Sequence, residues 1–180
     1  VLRISLRAAV PALAISLAFA SPVRANQQNH STLFAAEALR ICIDTHANAA
    51  SVQQLAEVEG WTVTNAEALS NESMITVGGT PNVTYYPSNY WTVDKDGLML
   101  SILVYNIPKK EKVNHCEVIA WDLDSEAVHQ ALTDDPRVKG GYFEQSGFLM
   151  RRYYAKKPRR IFRYGSGQKE SRTIHVLTAH

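Results

Sequence analysis

The chain has 180 residues, 46% hydrophobic and 20% charged, a balance that supports a folded core and excludes a disordered polymer. Its formal net charge of +2 hides an uneven distribution, because residues 26–136 carry 5 basic and 15 acidic groups whereas residues 137–180 carry 11 basic and 2 acidic. The two cysteines are not in CxxC spacing, which argues against a thiol-redox catalyst.

At the start of the chain, Arg3 and Arg7 precede an apolar run from Ala8 to Ala20, followed by small residues at Val23 and Ala25. This is the grammar of a secretory leader, residues 1–25. The apolar run is shorter than the roughly twenty residues a membrane-crossing helix needs, so no membrane span is expected in the mature form. Cleavage after Ala25, or alternatively after Ala20, is expected to leave a single domain of residues 26–180 in a bacterial periplasm or outside the cell. Val1 in place of Met suits a bacterial alternative start codon. Without Arg3, Arg7 and Arg24 the remaining 16 basic and 17 acidic groups nearly cancel. In such a compartment Cys42 and Cys116 are expected to form one disulfide.

Residues 26–31 are polar and read as a loose lead-in. Apolar spacing predicts a helix over residues 32–46, capped by Ser31 or Thr32, with Cys42 facing inward. A second helix is expected from a capping box at Ser51 to a left-handed stop at Gly60, with Trp61 packed beyond it. Thr64 to Glu67 repeats the box as a short helical turn. Extended segments follow at residues 74–77, 83–86 and 89–93, then Asp94-Lys95-Asp96-Gly97 with hairpin-turn chemistry, then an almost continuously apolar strand over 98–105. Residues 113–121 alternate as a strand carrying Cys116. Asp124 or Ser125 should cap a helix that ends near Pro136. Strands are expected at 148–155, 160–164 and 173–178, with short connections at 156–158 and 165–168. The class is therefore α+β, with N-terminal helices packed on a mainly antiparallel β-sheet and one later helix inserted between strands.

The pattern Phe34, Cys42, Val52, Ala56 and Gly60-Trp61 resembles a loosely defined group of small exported proteobacterial proteins with a helical Cys followed by Gly-Trp. The resemblance covers about thirty residues; it implies an exported compartment and no particular activity.

The most concentrated chemistry is RRYYAKKPRRIFRYG, residues 151–165, with seven Lys or Arg and no acid. Strand alternation puts Met150, Arg152 and Tyr154 on one face and Leu149, Arg151, Tyr153 and Ala155 on the other; Phe162 and Tyr164 share a face opposite Ile161 and Arg163. One reading is a solvated face whose cations meet the acidic remainder of the chain. The other is a surface for an anion or partner, with Arg151, Arg152, Lys156, Lys157, Arg159, Arg160 and Arg163 as contacts and Tyr153 exposed for stacking. An exported protein meets little nucleic acid, and the stretch lacks an RNA-recognition signature. The expected partners are an anionic envelope polymer or an acidic envelope or secreted protein, which the hairpin could serve as an inhibitor. His115 and Glu117 share a strand face and His129 follows on a helix, so a metal-dependent or acid–base hydrolase is a further alternative, although the HExxH spacing is missing. Ser166 lies in GSG, which reads as a turn rather than the GxSxG nucleophile elbow. With no phosphate loop or dinucleotide fingerprint, no cofactor is expected. The sequons at Asn29, Asn71 and Asn82 matter only in a glycosylating host. The sequence thus leads to an exported, non-enzymatic binding or structural module.

Overall fold

The computed structural model describes residues 22–63, 89–106, 114–140, 149–156, 159–169 and 171–179. Helix α1 spans Pro22–Ala38 and runs into a π-helical segment, Leu39–Asp44; α2 spans Ala49–Glu59 and α3 spans Ser125–Asp134. The strands are β1 (Thr62–Val63), β2 (Asn89–Lys95), β3 (Leu98–Asn106), β4 (Asn114–Trp121), β5 (Val138–Gly140), β6 (Leu149–Ala155), β7 (Arg160–Lys169) and β8 (Arg172–Ala179). They form one antiparallel sheet in the order β1-β2-β3-β4-β8-β7-β6-β5. Two meanders, β1 to β4 and β5 to β8, meet at the β4–β8 pair, and α3 carries the chain from one to the other. The α+β class with a helix between strands is what the sequence led us to expect.

All three helices lie on one face of the sheet. There, Leu100, Ile102 and Val104 of β3, Cys116, Val118 and Ala120 of β4, Leu177 and Ala179 of β8, and Phe162 and Tyr164 of β7 pack with Phe34, Leu39, Ile41, Val52, Val128 and Leu132. On the opposite face Tyr90, Leu103, Ile119, Ile174 and Val176 form a second, smaller cluster. This two-sided burial explains why residues 98–105 read as a continuous apolar run.

Cys42 and Cys116 form a disulfide with a Cα–Cα distance of 5.5 Å, joining the π-helical segment to β4 near the middle of the sheet. A π-helix turns more slowly than an α-helix, and here it buries three consecutive side chains, Ile41, Cys42 and Ile43, against the strands. Thr45 Oγ1 donates to the Ile41 carbonyl at the end of this segment, and the Ala47 amide reaches back to Cys42 O at 2.8 Å.

Several expectations are corrected. The first helix starts at Pro22, not near residue 32, in keeping with the preference for proline in a first helical turn. Ser31 and Thr32 are therefore helix-interior residues, whose hydroxyls donate to the carbonyls of Gln27 (2.9 Å) and Gln28 (3.1 Å). Ser31 is fully buried and also accepts the Asp124 amide at 3.1 Å, tying α1 to the start of α3. The cap of α2 is Asn48, whose side chain accepts from the Ser51 amide at 3.1 Å, so Ser51 is the donor in that cap and not its centre. Gly60 does stop α2 in the left-handed region (φ 67°), and the Trp61 amide closes on Ala56 O at 2.9 Å. Strands β1 and β5 were not expected. Strand β7 continues through Gly165-Ser166-Gly167, so those residues form a ladder with β8 and not a turn. The expectations for residues 64–67, 74–77 and 83–86 and the sequons at Asn71 and Asn82 fall outside the described residues.

Candidate functional site

The basic segment forms the predicted hairpin, with Ala155 opposite Arg160 and Arg152 opposite Arg163. Its two faces divide the cations into unlike sets. Arg151 and Tyr153 lie on the face that meets α3, together with Phe162 and Tyr164, and are 6% and 0% exposed. Arg151 donates to Glu126 on α3 at 2.6 Å. Tyr153 stacks on Phe162 with ring centroids 5.1 Å apart, and its hydroxyl meets His129 Nδ1 at 2.6 Å. Burial pushes the Tyr153 phenol up to about 12. Arg151 and Tyr153 therefore leave the expected docking surface. They share a pleat face with Ala155, and packing that face against α3 takes all three inward.

Of the other described cations, Arg152 and Arg163 lie on the opposite face, Lys156 and Arg159 flank the hairpin connection, and Arg160, opposite Ala155, is half-buried at the end of the inward row. Lys139 of β5 stands opposite Tyr154 of β6, which stands opposite Ile161 of β7, so the three form one row on the face away from the helices. Tyr154 and Ile161 are 42% and 45% exposed and lie side by side. With Gly140, Ala155, Lys156, Arg159 and Arg160 they line an open cavity of about 640 Å³. Lys156 Nζ donates to Pro136 O at 2.7 Å. Lys157 lies outside the described residues. Among the described residues no carboxylate lines this cavity and no salt bridge engages Lys139, Arg152, Lys156, Arg159, Arg160 or Arg163.

This contrasts with how arginine and lysine are used elsewhere. Arg40 and Lys95 converge on Glu59 at 2.6 Å each. Partial burial pushes that carboxyl upward, but hydrogen bonds from Arg40, Lys95 and Trp61 prevail and hold it at about 2. Arg137 bridges Asp44 and Asp135, and Arg172 pairs with Asp122 at 2.7 Å while lying 5.1 Å over the Trp121 ring. Glu37, Asp44, Glu59, Asp122, Glu126 and Asp135 are thus each matched to an arginine or lysine, and among the described residues the outward-facing cations of the hairpin have no such partner. Among the described residues, the expectation that the hairpin cations meet the acidic remainder holds for Arg151, which pairs with Glu126.

A second polar group lies inside the core. The Leu123 amide donates to His175 Nε2 at 3.1 Å, which leaves Nδ1 to donate to the Tyr164 oxygen at 2.8 Å; Ser125 Oγ donates to Ser166 Oγ at 2.9 Å beside them. Burial lowers the His175 imidazole to about 4, so it is neutral at pH 7, and burial raises the Tyr164 phenol. Ser166, Tyr164 and His175 are all buried and none lines the basic cavity. Their hydrogen bonds satisfy one another within the core.

The His115, Glu117 and His129 cluster is not assembled. His115 and Glu117 meet at 2.7 Å on the face away from the helices, whereas His129 sits on α3 across the sheet. Among the described residues no group of three or more His, Cys, Asp or Glu side chains could hold a metal ion. Sequence reasoning missed Lys139, Tyr154 and Ile161 as cavity residues. The switch to basic composition at Arg137 was the available signal for Lys139. No described helix is long and apolar enough to cross a membrane, which together with the disulfide is compatible with an extracellular or periplasmic protein. In comparisons with protein-family models, curated proteins and solved structures, none matches this chain.

Proposed function

We propose that this protein is an exported, non-enzymatic binding module whose basic β5–β7 end takes an anionic polymer. The observation that carries this reading is the cavity of about 640 Å³ lined by Lys139, Lys156, Arg159 and Arg160, with no carboxylate among the described lining residues, beside the exposed Tyr154 and Ile161. Cations that serve only solubility are usually interspersed with acids. A single-sign concave surface raises the local concentration of anions, and the neighbouring apolar side chains supply contact area. The leader-like first 25 residues and the disulfide support the compartment in which such polymers occur.

The test is retention of the disulfide-intact protein on immobilised dextran sulfate, with neutral dextran as the control. The wild type is expected to elute late and at a position that moves sharply with salt, as surface electrostatics require. The variant Lys139→Gln/Arg159→Gln/Arg160→Gln is expected to elute near the neutral control, and equal retention of variant and wild type overturns the reading.

A further inference from the structure

The rows of side chains across the outer face define a site more specific than a charged patch. One row runs from Arg152 on β6 to Arg163 on β7, Thr178 on β8 and Glu117 on β4, each directly opposite the next. Two arginines in directly opposing positions repel one another and destabilise a sheet. No salt bridge among the described residues relieves them. Beside Arg163, the Thr178 hydroxyl is buried to 1% exposure and has no hydrogen-bond partner. A buried hydroxyl without a partner is unfavourable, and it sits next to a pair of half-buried guanidiniums that carries a cost of its own.

A single ligand group resolves both costs. We propose that Arg152, Arg163 and Thr178 form a binding site for a phosphomonoester; this rests on the polymer-binding reading above and names the chemical group that anchors the polymer. A phosphomonoester carries a charge between about −1.5 and −2 and three strong acceptor oxygens. That matches two guanidinium forks and one hydroxyl donor, whereas a carboxylate supplies one charge and two oxygens. Glu117 lies two strand spacings from Arg163, about 10 Å away, and is held by His115 at 2.7 Å. This places the phosphoryl group on the β6–β7 side of the row.

The organic part of the ligand has a place as well. Tyr154 and Ile161 occupy the next outer-face positions along β6 and β7, about 7 Å from the arginine pair, and both are exposed. A sugar ring carrying the phosphate can lie over them. Beyond that row the basic cavity is positioned to follow the rest of a polyanionic chain.

Calorimetric titration of the disulfide-intact protein with hexose 6-phosphate, inorganic phosphate and a hexuronate tests the proposal. Hexose phosphate is expected to saturate one site, with inorganic phosphate weaker by several-fold for want of the ring contact and hexuronate weaker by at least tenfold. Comparable affinity for inorganic phosphate and hexose phosphate assigns the site to free phosphate and overturns the polymer anchor. Arg152→Gln and Arg163→Gln should each lower hexose-phosphate affinity at least tenfold, and Thr178→Val several-fold. Melting temperature supplies an independent readout: without phosphate, Arg152→Gln should melt no lower than wild type because the like-charge pair is gone, and added hexose phosphate should raise the wild-type melting temperature more than that of either arginine variant. Equal affinity for phosphate and uronate, or full affinity in both arginine variants, overturns the proposal. Retention on dextran sulfate that depends on Lys139, Arg159 and Arg160 without hexose-phosphate binding overturns this site and leaves the broader reading standing. Loss of both overturns both.

Discussion

Reducing the Cys42–Cys116 bond should cost this fold a large part of its stability. The bond spans a sequence separation of 74 residues. For a closed loop of that size the chain-entropy expression gives about 4.5 kcal/mol at 25 °C, arising from the freedom regained by the unfolded chain. Both cysteines are 0% exposed and surrounded by aliphatic side chains, so in the reduced fold the thiols remain packed as small apolar groups and add little native-state cost. At about 2–4 °C per kcal/mol for a domain of this size, the melting temperature should fall by about 9–18 °C. Urea unfolding of oxidised protein, reduced protein and Cys42→Ala/Cys116→Ala separates the contributions. Reduction should lower the midpoint and steepen the transition, because an unbridged unfolded chain exposes more surface. The double variant should be less stable still, having lost sulfur volume from the core. A reduced protein whose unfolding free energy lies within about 1 kcal/mol of that of the oxidised form refutes the idea that this bond stabilises by restricting the unfolded chain.

Other consequences can be measured directly. The imidazole of His175 is depressed from 6.5 to about 4, so above pH 6.5 it costs nothing, and as pH falls from 6.5 toward 4 the unfolded chain binds a proton that the fold refuses. Stability should decline by about 3 kcal/mol across that window, and His175→Gln, although less stable at pH 7, should show a flatter profile in urea unfolding at pH 7 and 4.5. Asp124 caps α3 by accepting the amides of Glu126 and Ala127, and Asp124→Ala should cost about 1 kcal/mol, read from the urea midpoint. Gly97 holds φ at 81° in the β2–β3 turn, and Gly97→Ala should cost about 1 kcal/mol although open space surrounds the new methyl group.

The parts of the fold that were legible in the sequence are those specified locally. Asp96-Gly97 fixes a two-residue hairpin in which Lys95 opposes Leu98, and both central residues take positive φ as that turn demands. The alternation of β4 and the cap of α3 are similarly self-contained. What could not be read depends on contacts distant in sequence. Residues 26–31 are polar and suggest no helix, but Ser31 is buried against α3, and Gln27 reaches the Asp122 carbonyl at 3.0 Å. Gly165 and Gly167 look like turn residues until Val176 and Ile174 pair with them across the ladder. For the site, pleat alternation correctly separated Arg151 from Arg152. It could not say which face would receive α3, and that decision sends Arg151 and Tyr153 into the interior while Arg152 and Arg163 stay outside. The disulfide was legible because compartment and cysteine count left one simple pairing, although its seat in a π-helical segment has no sequence signal.

The order of the strands places β8, the last of the described elements in chain order, at the junction of the two meanders. Until β8 arrives, β4 and β7 each present an unsatisfied edge to their surroundings, and such edges invite pairing with other chains. A chain shortened by even this single strand would divide into two incomplete halves instead of losing a peripheral flap. Completion of the sheet therefore waits for β8 to dock, and the exposed interval before it is when chaperone protection matters most.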